Sequence, residues 1–237
     1  MASFPNNPHH LWKRTPYLVS LYSMARPVAT TVCQLINYQA GSQDCSSIVK
    51  IASVSAFIEI GIAWIISTHT ANAIFGRYCV ELAETFPAVV IDPATSAPQV
   101  RSSKPVLFLA ILAAGSDGIC DVDTQKRLRH LLTRVLARCI LDKFGYTIEF
   151  VQSFIVSALW HKPSEPIQGE NSMDMPQLSH AAANIAIHIG LDRQSSIKNQ
   201  NSLARRHRQN SRSLNPSQMA DIEARRTWLG CYYICAK

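Results

Sequence analysis

Seven cysteines, eight histidines and a run of arginines are the side chains of this 237-residue chain best suited to chemistry. The cysteines stand at positions 33, 45, 79, 120, 139, 231 and 235, without closely spaced pairs. Cys231 and Cys235 lie one helical turn apart and could share a metal ion. No histidine or carboxylate adjoins them in sequence to complete a ligand set, so small core residues are the favoured reading. His180 and His188 fall off the apolar stripe of their segment, and His161 stands beside Lys162 at a helix end. No serine or cysteine elbow lies near them and no pair of carboxylates offers acid–base work, which leaves them as surface histidines. The 9 glycines never cluster as a phosphate-cradling loop requires. An enzyme is therefore the least supported class.

Arginine is the remaining candidate. Arg225 and Arg226 open the closing stretch EARRTWLGCYYICAK. They could contact phosphates, but they stand one turn before an apolar helical segment, which favours an ion pair or cap within the chain. Trp228 and Trp160 could line a ligand pocket, although core packing is the commoner use of such residues. A second group, Arg205, Arg206, Arg208 and Arg212, lies in LARRHRQNSR. It suits nuclear import or an electrostatic contact, against the plainer reading of a solvated loop. The net charge is +7, and no Asp or Glu occurs between Arg193 and Arg212. Much of the positive excess therefore belongs to one loop.

The elements that must position these residues read as helices. Residues 1–45 carry prolines and asparagines with no sustained period, and are expected to be irregular. IASVSAFIEIGIAWII, broken by Glu59, falls short of the ~20 residues a spanning helix needs and reads as buried or misplaced rather than transmembrane. Ser67 is placed to cap a helix whose stripe is Phe75, Tyr78, Cys79, Leu82 and Phe86, ended by Pro87. VVIDPATSAPQVRSSKP reads as a connection. Pro105 then starts a short helix, apolar on every side and closed by Gly115. The clearest pattern runs from 123 to 144: Leu128, Leu131, Leu132, Val135, Leu136, Cys139 and Ile140 share one face, and Asp123 or Thr124 can cap it. A mostly apolar helix follows over 147–163, stopped by Pro163. LSHAAANIAIHIGL places Leu178, Ala181, Ala182, Ile185, Ala186 and Ile189 on one stripe, with Gly190 as the left-handed end and Leu191 as its hydrophobic contact. A basic loop over 192–219 precedes the last helix. No alternating run suggests a strand, and the expected class is all-α.

Four of these segments, in order, resemble a known family. FPAVVIDPATSAPQVRSSKPVLFLAILAAGS, FVQSFIVSALWHKPSEP, LSHAAANIAIHIGLDR and EARRTWLGCYYICA are similar to stretches of the middle homology region, the regulatory domain of fungal zinc-cluster transcription factors. The resemblance spans roughly residues 85–237, with Trp160, Gly190, Leu191, Arg193, Arg225, Arg226 and Trp228 at signature positions that look structural. It implies an irregular multi-helix domain over 46–237, non-enzymatic and nuclear, that modulates transcription by RNA polymerase II and binds co-regulators or a small-molecule effector. It also implies a homodimer in the full-length protein and no membrane role. Family members read DNA through a separate module in which six cysteines hold two zinc ions. The cysteine spacing here cannot build that cluster, so zinc and DNA are expected only through a module outside this chain. The family domain continues past the Arg-Arg-Thr-Trp helix, so the domain is expected to be C-terminally incomplete, through a truncated gene prediction or as a genuine short product. A helical module that binds a small molecule or partner without any DNA role is the alternative, and a non-functional product a third.

Overall fold

Pro105 fixes the start of the segment around which the fold is built, since its ring presets a helical φ and its missing N–H is not needed there. From it runs α4, and all its residues from Pro105 to Leu112 are buried. A helix without a polar face must be enclosed, and each fully buried Leu, Ile or Phe contributes about 1.5–3 kcal/mol. The computed structural model describes residues 45–141, 146–162, 173–192 and 216–236. They form eight helices: α1 (Cys45–Ile65), α2 (Thr68–Arg77), α3 (Ala97–Ser103), α4 (Pro105–Gly115), α5 (Val122–Leu141), α6 (Ile148–Leu159), α7 (Met175–His188) and α8 (Pro216–Cys235). No strand occurs among the described residues. The expected all-α class is what the chain adopts.

The chain divides into two compact units, Met1–Ile60 and Gly61–Lys237. In the first, the described part is the bulk of α1. In the second, α4 is packed by α2, α3, α5 and α6, while α6 also packs against α7 and α8, and α7 against α8. No single helix among the described residues is long and apolar enough to cross a membrane. The broken pair Val54–Ile65 and Thr68–Thr85 meets that length and composition only when taken together.

Several local expectations hold. Ser67 caps α2 through a hydrogen bond from the Thr70 amide, 3.1 Å. The α5 stripe is buried from Leu128 to Cys139, with Ile140 half-buried. The cap of α7 was not among these expectations: the Gln177 amide donates to Asp174 at 2.8 Å and the Asp174 amide to Gln177 at 3.1 Å. Gly190 takes φ +75° and Leu191 is buried behind it.

Others are corrected. Beyond Arg77 the backbone widens into a π-turn over Tyr78–Leu82 before a last turn at Ala83–Thr85. One extra residue in that turn carries the buried face from Tyr78 to Ala83 rather than to Leu82, so Cys79, Leu82 and Phe86 are only half-buried. The stretch read as a connection before Pro105 contains α3. Its Ser96 amide donates to Gln99 Oε1 at 2.7 Å as a capping contact, and Pro98 sits in the first turn, where its missing N–H is not needed. The α5 cap is Asp121, which accepts from the Thr124 amide at 2.9 Å, rather than Asp123 or Thr124. Gly115 is the last residue of α4 and not its left-handed stop. It is needed for closeness, because a Cβ there would stand 3.0 Å from Ile74 Cγ2 and 3.2 Å from the Ile74 carbonyl oxygen. The basic loop is shorter than 192–219 at its C-terminal end, since Pro216 begins α8. Residues 193–215 of that loop, Pro163 and residues 1–44 lie outside the described residues.

Candidate functional site

The Arg-Arg-Thr-Trp segment lies in the middle of α8, and its buried face is made mostly of small residues. Ala224, Thr227, Gly230, Cys231 and Ile234 are turned inward. Gly230 is held at close quarters: a Cβ there would stand 2.9 Å from Ala88 Cβ and 3.2 Å from Ile155 Cδ1. The opposite face keeps Leu229 at 64% and Tyr232 at 73% exposure. Tyr233 is partly sheltered by Phe86, with ring centroids 4.4 Å apart.

Arg225 donates to Asp221 one turn earlier at 3.0 Å, the intrachain ion pair favoured from sequence. Arg226 is exposed, and Trp228 is half-buried rather than a full core residue. Trp160 ends α6 as its C-cap, half-buried, with its ring edge-on to Tyr78 at 5.7 Å. Tyr78 in turn donates its hydroxyl to the Val89 carbonyl at 2.9 Å. Gly190 and Leu191 close α7 as described. Arg193, Arg205, Arg206, Arg208 and Arg212 lie outside the described residues.

Sequence reasoning missed two acidic residues that join these elements. Glu149, in the first turn of α6, accepts from the amides of Val106 at 2.7 Å and Leu107 at 3.3 Å. It therefore caps α4 from a different helix, where donors unpaired within the helix meet the positive end of its dipole. Burial pushes the Glu149 carboxyl above its ordinary range, against those two amides and the nearby Lys104 charge. Glu223, on α8, is the second. It pairs with Lys104 and accepts from Gln152 Nε2 at 2.8 Å. Gln152 also donates to Thr227 Oγ1 at 3.3 Å, and Thr227 donates to the Glu223 carbonyl at 2.8 Å. Burial pushes the Glu223 carboxyl up, but the Lys104 and Gln152 hydrogen bonds and the Lys104 charge bring it below its ordinary value. No periodicity announces either residue, because each partner lies on a distant element.

This network borders a cavity of about 620 Å³. Its apolar walls are Val90, Ile91, Val100, Met219 and Ile222, and Lys104, Gln152, Glu223 and Arg226 add polar groups. An apolar recess with a few convergent polar groups can hold a small molecule. Nothing in it pairs a nucleophile with a base. The Cys231 thiol is pushed up to about 12 by burial and then by Cys235, so it is not a thiolate at neutral pH. Cys235 is exposed and its thiol contacts the Ser179 carbonyl at 3.6 Å. Among the described residues no three His, Cys, Asp or Glu side chains converge as metal ligands. His180 and His188 are exposed, as expected, whereas His161 is half-buried.

No family model matches the chain, and no solved structure matches it. Over 172 residues, 72% of its length, it is 38% identical to the transcription factor pbcR of Emericella nidulans. The chain spans about a quarter of that protein, the match covering 23% of it. The chain is thus similar, over most of its own length, to one part of a fungal transcription factor.

Proposed function

We propose that this chain is a regulatory segment of a fungal zinc-cluster type transcription factor, acting in the nucleus to modulate transcription by RNA polymerase II. The observation that carries this reading is the 38% identity over 172 residues to a transcription factor. The segment's own task is recognition: helices positioned by polar contacts such as Glu149 and Glu223 present surfaces to a co-regulator or effector. DNA contact and zinc belong to a separate module of the whole protein, and a homodimer is expected of the full-length protein. The direct test tethers residues 1–237 to an unrelated DNA-binding domain upstream of a reporter in fungal cells. Reporter output should change several-fold against the tether alone. Unchanged output with the fusion present in the nucleus would overturn the reading.

The 620 Å³ cavity supports a second reading, a helical module that binds a small molecule without any DNA role. Its mixture of apolar walls with Lys104 and Arg226 suits an amphipathic carboxylate. Medium-chain fatty acids should then raise the melting temperature by preferential binding to the native state. Ala220→Trp, filling the cavity from an exposed position on α8, should abolish that rise.

A further inference from the structure

A second cavity, of about 470 Å³, lies among α2, the end of α4, the start of α5 and the end of α6. It shares no lining residue with the first. Its charged lining is Arg77, Arg129 and Lys162 against Glu81 and Asp117, with His161 and Trp160 beside them. Two of the cations are engaged. Arg77 donates to Glu81 at 2.8 Å, to the Gly115 carbonyl at 3.4 Å and to the Asp117 carbonyl. Lys162 pairs with the Asp117 carboxylate at 2.5 Å. Arg129 is different: its Nε is buried and makes no hydrogen bond.

A buried donor without an acceptor costs about 1–3 kcal/mol, more when it belongs to a charged group. Such groups in native folds usually have a partner; because the Nε is closed off from solvent, a ligand in the cavity would meet the outer part of the Arg129 guanidinium. The surrounding field is positive. Although Asp117 is not buried, its carboxyl is held below the usual carboxylate range, first by its hydrogen bond from Lys162 and the Lys162 charge, and further by Arg77 and Arg129. Trp160 forms an aromatic wall, held edge-on by Tyr78. A planar guanidinium is the side chain best shaped to grip a carboxylate or phosphate with two hydrogen bonds.

We propose that this cavity is a binding site for a small oxyanion-bearing molecule, an organic phosphate or carboxylate, gripped by Arg129 with Lys162 and His161 beside it. The volume exceeds that of a bare phosphate, so the ligand carries an organic body lying along Trp160. Asp117 competes for the same cations and limits affinity. The inference is independent of any role in transcription.

The test is calorimetric titration of the full chain with phenyl phosphate, inorganic phosphate and benzoate, at ionic strength held constant with chloride. Saturable binding is expected, tighter for an aryl oxyanion than for inorganic phosphate. The phenyl phosphate and benzoate arms decide which oxyanion is preferred. Arg129→Met should weaken binding at least tenfold and Arg129→Lys nearly as much. Lys126→Met, an exposed cation outside the site, should leave it unchanged. Asp117→Asn should tighten binding several-fold, an effect that a damaged fold cannot imitate. No saturable binding in the wild type, or equal binding by folded Arg129→Met, would overturn the proposal.

Discussion

Glu149 and Glu223 are both acidic residues in polar contacts between helices, yet they respond to pH in opposite directions. Glu149 is raised by burial, so the folded state holds its proton more firmly than the unfolded chain does. Its contribution to stability is present at low pH and declines as pH rises through the raised value. Glu223 is lowered, so its contribution is present above the ordinary value near 4.5 and is lost as pH falls through the lowered folded value. Urea titrations between pH 3 and 6 should therefore show a shallower acid loss in Glu223→Gln than in the wild type. Glu149→Ala strands the Val106 and Leu107 amides and should cost about 1–3 kcal/mol. Glu149→Gln keeps an acceptor oxygen and should cost less at neutral pH, so equal losses in the two variants would contradict the capping role. Neither glutamate stands out in the sequence, because each acts on a partner 40 or more residues away. Asp174, whose partner is three residues on, is a local signal of the kind a sequence can reveal.

Among the elements, α5 and α7 were the most legible. Each is amphipathic with an undisturbed 3.6-residue period, so the core face can be read directly from spacing. The π-turn after Arg77 defeats that procedure, since one inserted residue rotates everything beyond it. α3 was hidden for a different reason. Its prolines and serines are those of a loop, and only the Ser96–Gln99 contact marks the helix start. The glycines divide in the same way. Gly190→Ala forces a side chain into a left-handed backbone with open space around it, which should cost about 1–2 kcal/mol. Gly115→Ala meets Ile74, including its backbone carbonyl, so α2 and α4 must part; about 1–3 kcal/mol is expected. Thermal melts of the two variants would check both. In a double-mutant cycle, Gly115→Ala should cost less in an Ile74→Ala background, which lacks Ile74 Cγ2, than in the wild type, whereas the cost of Gly190→Ala should be the same in both.

For the molecule as a whole, the exposed face of α8 matters most. Leu229 and Tyr232 stand largely in solvent, and clustered exposed apolar side chains promote association. Light scattering should show self-association that grows with concentration. The double variant Leu229→Gln with Tyr232→Ser should reduce it while leaving the melting temperature within a few degrees. A large fall in melting temperature would mean that these side chains support the fold rather than lie on its surface. The candidate site was only partly legible at this scale. The Arg-Arg-Thr-Trp segment was visible in the sequence, but the two cavities are assembled from segments far apart along the chain.

The enclosure of α4 also constrains how the chain must be made. Its apolar residues leave the ribosome before α5 and α6, two of the helices that cover it. Forty-four residues separate Gly115 from Leu159. At about 5–20 residues per second, that leaves roughly 2–9 s with the helix only partly covered. During that interval the segment that later anchors the core presents apolar surface that a chaperone can cover.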